Sequence, residues 1–114
     1  MKTAALLQKG WRQDPTALPL DELMNMATVN GAKALGLNTG EIKVGKLADI
    51  AIIDIDNYAF TPNINFLSNL VYSANSSCVE SVICNGKFVM RNRVVEGEKE
   101  ILDKVNSIYK KLYI

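Results

Sequence analysis

The chain has 114 residues, 48% of them hydrophobic and 22% charged, the composition of an ordinary globular domain of modest size. Thirteen basic and twelve acidic residues leave a net charge of +1, so no long-range field gathers nucleic acid or an anionic membrane. The chain contains no histidine, which removes Ser-His-Asp and Cys-His catalysis and most catalytic zinc arrangements.

Met1–Arg12 places Ala4, Leu7 and Trp11 on one face at helical spacing. Nothing caps its start, which fits either a frayed terminus or a helix cut from something longer. Its apolar core, Ala4–Leu7, is too short for a signal peptide, and no run approaches the ~20 residues of a membrane span. Asp14-Pro15-Thr16 is a turn. Pro19 then opens a second helix, with Asp21 and Glu22 in its first turn and an apolar stripe of Leu20, Leu23, Met24, Ala27, Ala32 and Leu35. Gly36 stops it, and Asn30-Gly31 marks a break or a close approach within it. Met24 and Met26 read as core filler.

Gly40–Asp54, GEIKVGKLADIAIID, reads as a glycine-bearing turn feeding a strand, Ile50–Ile55, whose nearly continuous apolar run needs cover on both faces. Asn57–Pro62 is a loop, and Phe66–Ser73 is a short helix or a mixed segment. Val79–Cys84 and Lys87–Met90 are strands joined at Asn85-Gly86, a strong two-residue hairpin signal. Val94-Val95 is expected as a short third strand of that meander. Glu98–Leu112 closes the chain as an amphipathic helix with Ile101, Leu102, Val105, Ile108, Tyr109 and Leu112 on one side. These pieces do not build a self-sufficient core, so some apolar surface is expected to face another chain or another part of this one.

The inventory offers no active site. Asp49 follows a turn, where a carboxylate accepts bonds from nearby N–H groups, and no base, nucleophile or metal ligand accompanies it. Asp54 and Asp56 lack the surrounding ligand loop of a hard-cation site. Cys78 and Cys84 have no CxxC spacing and read as reduced thiols of a cytoplasmic protein. Lys110-Lys111 suits the end of a helix better than a binding patch. Trp11 and the tyrosines are too dispersed to stack bases.

Four segments carry a family resemblance: ATVNGAKALGL (Ala27–Leu37), GEIKVGKLADIAIID (Gly40–Asp54), NLVYSAN (Asn69–Asn75) and VICNGKFVMRNRVV (Val82–Val95). In order and spacing they resemble the C-terminal end of the amidohydrolase superfamily. With FTP (Phe60–Pro62) and LVYSAN (Leu70–Asn75), the nearest branch is the 5-methylthioadenosine/S-adenosylhomocysteine deaminases and related chlorohydrolases. The resemblance implies a mixed α/β chain in three parts. Residues 1–38 would be terminal helices of a (β/α)8 barrel, 39–97 part of a small β-sandwich, and 98–114 a C-terminal helix. It implies a full-length parent that deaminates an adenosine-type substrate hydrolytically with zinc or another divalent metal. The family's metal ligands lie upstream of the matched region, so no catalytic, cofactor-binding or metal residue is assigned to this chain. Its expected partner is the N-terminal part of the same enzyme or a second copy of itself, with neither nucleic acid nor membrane. The alternative is a stand-alone, non-catalytic interaction module derived from the family.

Overall fold

In the computed structural model, which describes residues 1–113, helix α1 (Lys2–Arg12) starts at Met1 with no side-chain cap. It ends at Gln13, whose left-handed φ of 52° turns the chain toward the next helix. Lys9 secures that connection: its Nζ donates to the carbonyls of Pro15, at 2.6 Å, and Ala17, at 2.8 Å. The anticipated apolar face of α1 is not what this chain buries. Ala5 is buried, whereas Leu7 is 64% and Trp11 83% exposed. The reason is that Leu23 and Val71, from two later helices, pack on its Ala4–Ala5 side.

The second helical run is continuous, not broken at Asn30-Gly31. It consists of α2 (Leu20–Asn25), one wide π turn (Met26–Asn30) and α3 (Gly31–Ala34). Within the wide turn the Thr28 hydroxyl donates to the Met24 carbonyl at 2.7 Å, competing for an acceptor that a regular α-helix reserves for the backbone. The run stops where expected. Gly36 is left-handed, its N–H bonds the Lys33 carbonyl, and Leu37 N–H bonds the Ala32 carbonyl, the paired closure of a Schellman cap. Of the expected stripe, Leu23 and Ala32 are buried, while Ala27 and Leu35 are exposed.

Three strands form one antiparallel sheet in the order β1 (Ile50–Ile53), β2 (Val79–Cys84), β3 (Lys87–Met90). β1 stops two residues short of the expected Ile55, because the pairing shifts between Ile52 and Ile53. It is an edge strand: among the described residues its second edge pairs with nothing, and Ala51 and Ile52 are exposed. The β2–β3 turn has φ of 47° at Asn85 and 77° at Gly86, the double positive φ of a type I′ hairpin. The expected third meander strand at Val94-Val95 reduces to one bridge, Arg91 with Val94. Asn92 and Arg93 are both left-handed and turn the chain too tightly for a ladder to continue.

The predicted loop Asn57–Pro62 contains a 3₁₀ turn, Tyr58–Phe60, capped by the Asn57 side chain and burying Ala59 and Phe60. Helix α4 (Phe66–Tyr72) is capped by Asn65, which accepts from Ser68 N–H. It joins two small apolar clusters. Val71 meets Ala5 and Leu23, and Leu70 packs against the cluster of Ala59, Phe60 and Cys78. Helix α5 (Glu98–Tyr113) has no buried residue among those described.

The result is open. The accessible surface is 8953 Å², where a compact protein of 12.6 kDa exposes about 6200 Å². The radius of gyration is 18.0 Å, against about 13 Å for a compact domain of this length.

Candidate functional site

The charged groups that tie distant segments together gather around the ends of β1. At its entry, Asp49 accepts a hydrogen bond from Asn85 N–H at 2.7 Å, across 36 residues of sequence. This bond, together with one from the Thr39 side chain, holds the Asp49 carboxyl below its ordinary 3.8. Gly86 N–H adds a bond to the Ala48 carbonyl at 3.0 Å, so the hairpin tip is tied to the chain entering β1. The carboxylate thus braces a turn.

At the exit, Asp54 is held by Arg93. The guanidinium Nη2 lies 2.6 Å from Asp54 Oδ2, and Nε donates to the Ser77 carbonyl at 3.1 Å. The Arg93 backbone N–H bonds the Glu80 carbonyl at 2.7 Å. Arg93 side-chain bonding, followed by a bond from Asp56 N–H, lowers the Asp54 carboxyl from 3.8. Asp56 itself is exposed. Asp54 and Asp56 therefore form a capped turn, with the paired carboxylate already neutralised by an arginine. Sequence reasoning did not single out Arg93 or Lys9; the run Arg91-Asn92-Arg93 signals a turn but not the partner of either arginine.

Cys78 is buried and Cys84 exposed, both as free thiols. Met24 is half-buried and Met26 exposed, so only the first fills the interior. Lys110 and Lys111 occupy the last turn of α5. A divalent metal does not fit the residues present. The chain has no histidine, and among the described residues no three cysteine or acidic side chains converge. A shallow cleft of about 360 Å³ between α1 and α2 is lined by Leu7, Leu18 and Met26 with Arg12 and Glu22 at its rim. No described helix is long and apolar enough to cross a membrane.

The family model for the amidohydrolase family matches residues 1–89. The chain belongs to the amidohydrolase family. The match ends within β3 and leaves α5 outside it. Among curated relatives, the 5-methylthioadenosine/S-adenosylhomocysteine deaminase 1 of Archaeoglobus fulgidus is 43% identical over 115 residues, covering 98% of this chain and 27% of that protein. A 5'-deoxyadenosine deaminase of Methanothermobacter thermautotrophicus is 48% identical over 104 residues, 91% of this chain and 23% of the relative. The crystal structure of a zinc-bound adenosine deaminase from Xanthomonas campestris superposes with a TM-score of 0.87 at 32% identity, covering 96% of this chain and 26% of that one. The chain thus spans about a quarter of the length of the relatives it matches.

Proposed function

We propose that this chain is the C-terminal scaffold of a metal-dependent amidohydrolase that deaminates adenosine-type nucleosides such as methylthioadenosine, 5'-deoxyadenosine or S-adenosylhomocysteine. The reaction replaces the exocyclic amine of the purine with oxygen from water and releases ammonia. The metal and the groups that act on the purine belong to the remaining part of the enzyme. Residues 1–38 would close the barrel, 39–97 would form part of the β-sandwich, and 98–114 would make a peripheral helix.

The observation that carries this reading is similarity to nucleoside deaminases over nearly the whole chain, which accounts for only a quarter of each. The surface left open supports it. Leu7 and Trp11 of α1 and the free edge of β1 are where a barrel and further sandwich strands would pack. The N-terminal part of the same enzyme is the partner we assign to these two faces.

The test compares the isolated 114-residue chain with an enzyme carrying it as its C-terminal segment, for bound metal and for loss of ammonia from each nucleoside. The longer enzyme is expected to turn over at least one of them, and the isolated chain none. Stoichiometric zinc or turnover on the isolated chain would defeat the scaffold reading. An inert longer enzyme would defeat the deaminase reading.

A further inference from the structure

The pair Asn-Gly occurs twice, at Asn30-Gly31 and at Asn85-Gly86, in two unlike backbones. Such a pair has a chemistry of its own. The backbone nitrogen of the glycine, on losing its proton, attacks the side-chain amide carbon of the asparagine before it. A bond forms from that nitrogen to Cγ, the bond from Cγ to Nδ2 breaks, and the amide leaves with a proton as ammonia. Water then opens the five-membered imide at either carbonyl, giving aspartate or isoaspartate. Glycine suits the attack because no Cβ crowds the approach. Water is the only co-reactant.

The fold decides which pair reacts. Both asparagines are exposed, so access of water does not separate them. Ring closure requires the bond between the asparagine Cα and its carbonyl carbon to turn. At Asn30 that bond has a ψ of −38°, inside the helical run that is continuous from Leu20 to Ala34. Turning it breaks the run on both sides, so Asn30 reacts only when the helix opens. Asn85 and Gly86 instead stand at the end of a ladder whose last pair is Cys84 with Lys87. Beyond that pair, among the described residues, two hydrogen bonds tie the tip. Asn85 N–H donates to the Asp49 carboxylate at 2.7 Å, and Gly86 N–H to the Ala48 carbonyl at 3.0 Å. The second occupies the attacking nitrogen itself. Release of the tip frees that nitrogen while the helices and the rest of the sheet stay folded.

We propose that Asn85 is a site of spontaneous deamidation whose rate is set by the hold of Asp49 and Ala48 on the hairpin tip. The assignment is independent of the nucleoside chemistry. Either product puts a carboxylate where an amide stood and lowers the net charge of +1 by one. Isoaspartate also adds a methylene to the backbone of a two-residue turn, where loop length fixes the register of the strands on either side. The full chain is incubated in mildly alkaline buffer and digested with trypsin. Each asparagine is followed by the mass change from amide to acid, with fragment spectra locating it. Asn85 should convert to a mixture of aspartate and isoaspartate, while Asn30 in the same molecules keeps its amide. Asp49→Ala removes the acceptor of Asn85 N–H. It should speed conversion at Asn85 roughly tenfold, as expected when opening no longer breaks a hydrogen bond to a charged group, and leave Asn30 unchanged. Asp49→Asn, which keeps a neutral acceptor, should fall between the two and carries the comparison if the alanine variant unfolds, an event that Asn30 reports by converting as well. Equal conversion of the two asparagines in the native chain overturns the proposal. So does an Asn85 that keeps its amide, or one that converts at the same rate with and without the Asp49 carboxylate.

Discussion

Gly40 allows a test in which space and backbone strain can be separated. It sits at φ +89°, and a Cβ built on it would lie 2.9 Å from the Thr28 carbonyl oxygen and 3.0 Å from the Val29 Cα. Those atoms are backbone of the wide turn between α2 and α3, so no side chain can swing aside. Gly45 is the control: its φ is +86°, and nothing lies within 4 Å of the same hypothetical atom. Alanine at either position incurs the left-handed strain of about 1–2 kcal/mol. Only Gly40→Ala must also push two segments apart, at a further ~1–3 kcal/mol. Urea unfolding of both variants, compared at matched slope, should place Gly40→Ala below Gly45→Ala by that second amount. Equal losses would refute the claim that the Gly40 loop is seated against the helical turn.

The hairpin tip should be as demanding. Replacing Asn85-Gly86 by Ala-Ala forces two alanines to positive φ, costing roughly 2–4 kcal/mol, and an unchanged thermal midpoint would contradict the type I′ turn. Asp49→Asn exchanges a charged acceptor for a neutral one at the Asn85 N–H and should lower the thermal midpoint at neutral pH. Because the folded carboxyl is held below 3.8, its contribution is full above the ordinary value and fades as pH falls through the lowered one. The wild-type and Asp49→Asn midpoints should therefore converge once the pH has fallen through that lowered value, and a gap that persists there would assign the effect to packing. Trp11 is the only tryptophan, and its exposure in this chain makes Trp11→Ala worth less than ~0.5 kcal/mol in the isolated chain. In the longer enzyme, where we place a barrel against that face, the same change should cost ~3–5 kcal/mol. Equal effects in the two would show that α1 is not covered there. Finally, Lys9→Met leaves the carbonyls of Pro15 and Ala17 without their donor and should loosen the α1–α2 connection, read as faster amide exchange across residues 13–19 than across β2.

Where neighbours in the chain supply the physics, the sequence alone was enough. Asn85-Gly86 specifies its own turn, since few residues accept two successive positive φ values. Gly36 ends a helix for the same reason, and the apolar spacing of Glu98–Leu112 describes a helix face whether or not anything covers it. Asp49 was legible only as a carboxylate beside a turn; that it accepts from Asn85 N–H, 36 residues on, is a matter of tertiary structure. Tertiary structure decided the rest. Arg93 meets Asp54 across 39 residues, and nothing local in either segment names the other. The strand expected at Val94-Val95 gave way to consecutive left-handed residues, because Arg93 is anchored to Asp54, Ser77 and Glu80 at once. The apolar face read on α1 was real as a pattern, yet Ala5 is buried and Trp11 is not. Periodicity is a property of one element, set by 3.6 residues per turn. Burial is a property of two, and here the chain brings α2, through Leu23, and α4, through Val71, to the Ala5 side of α1.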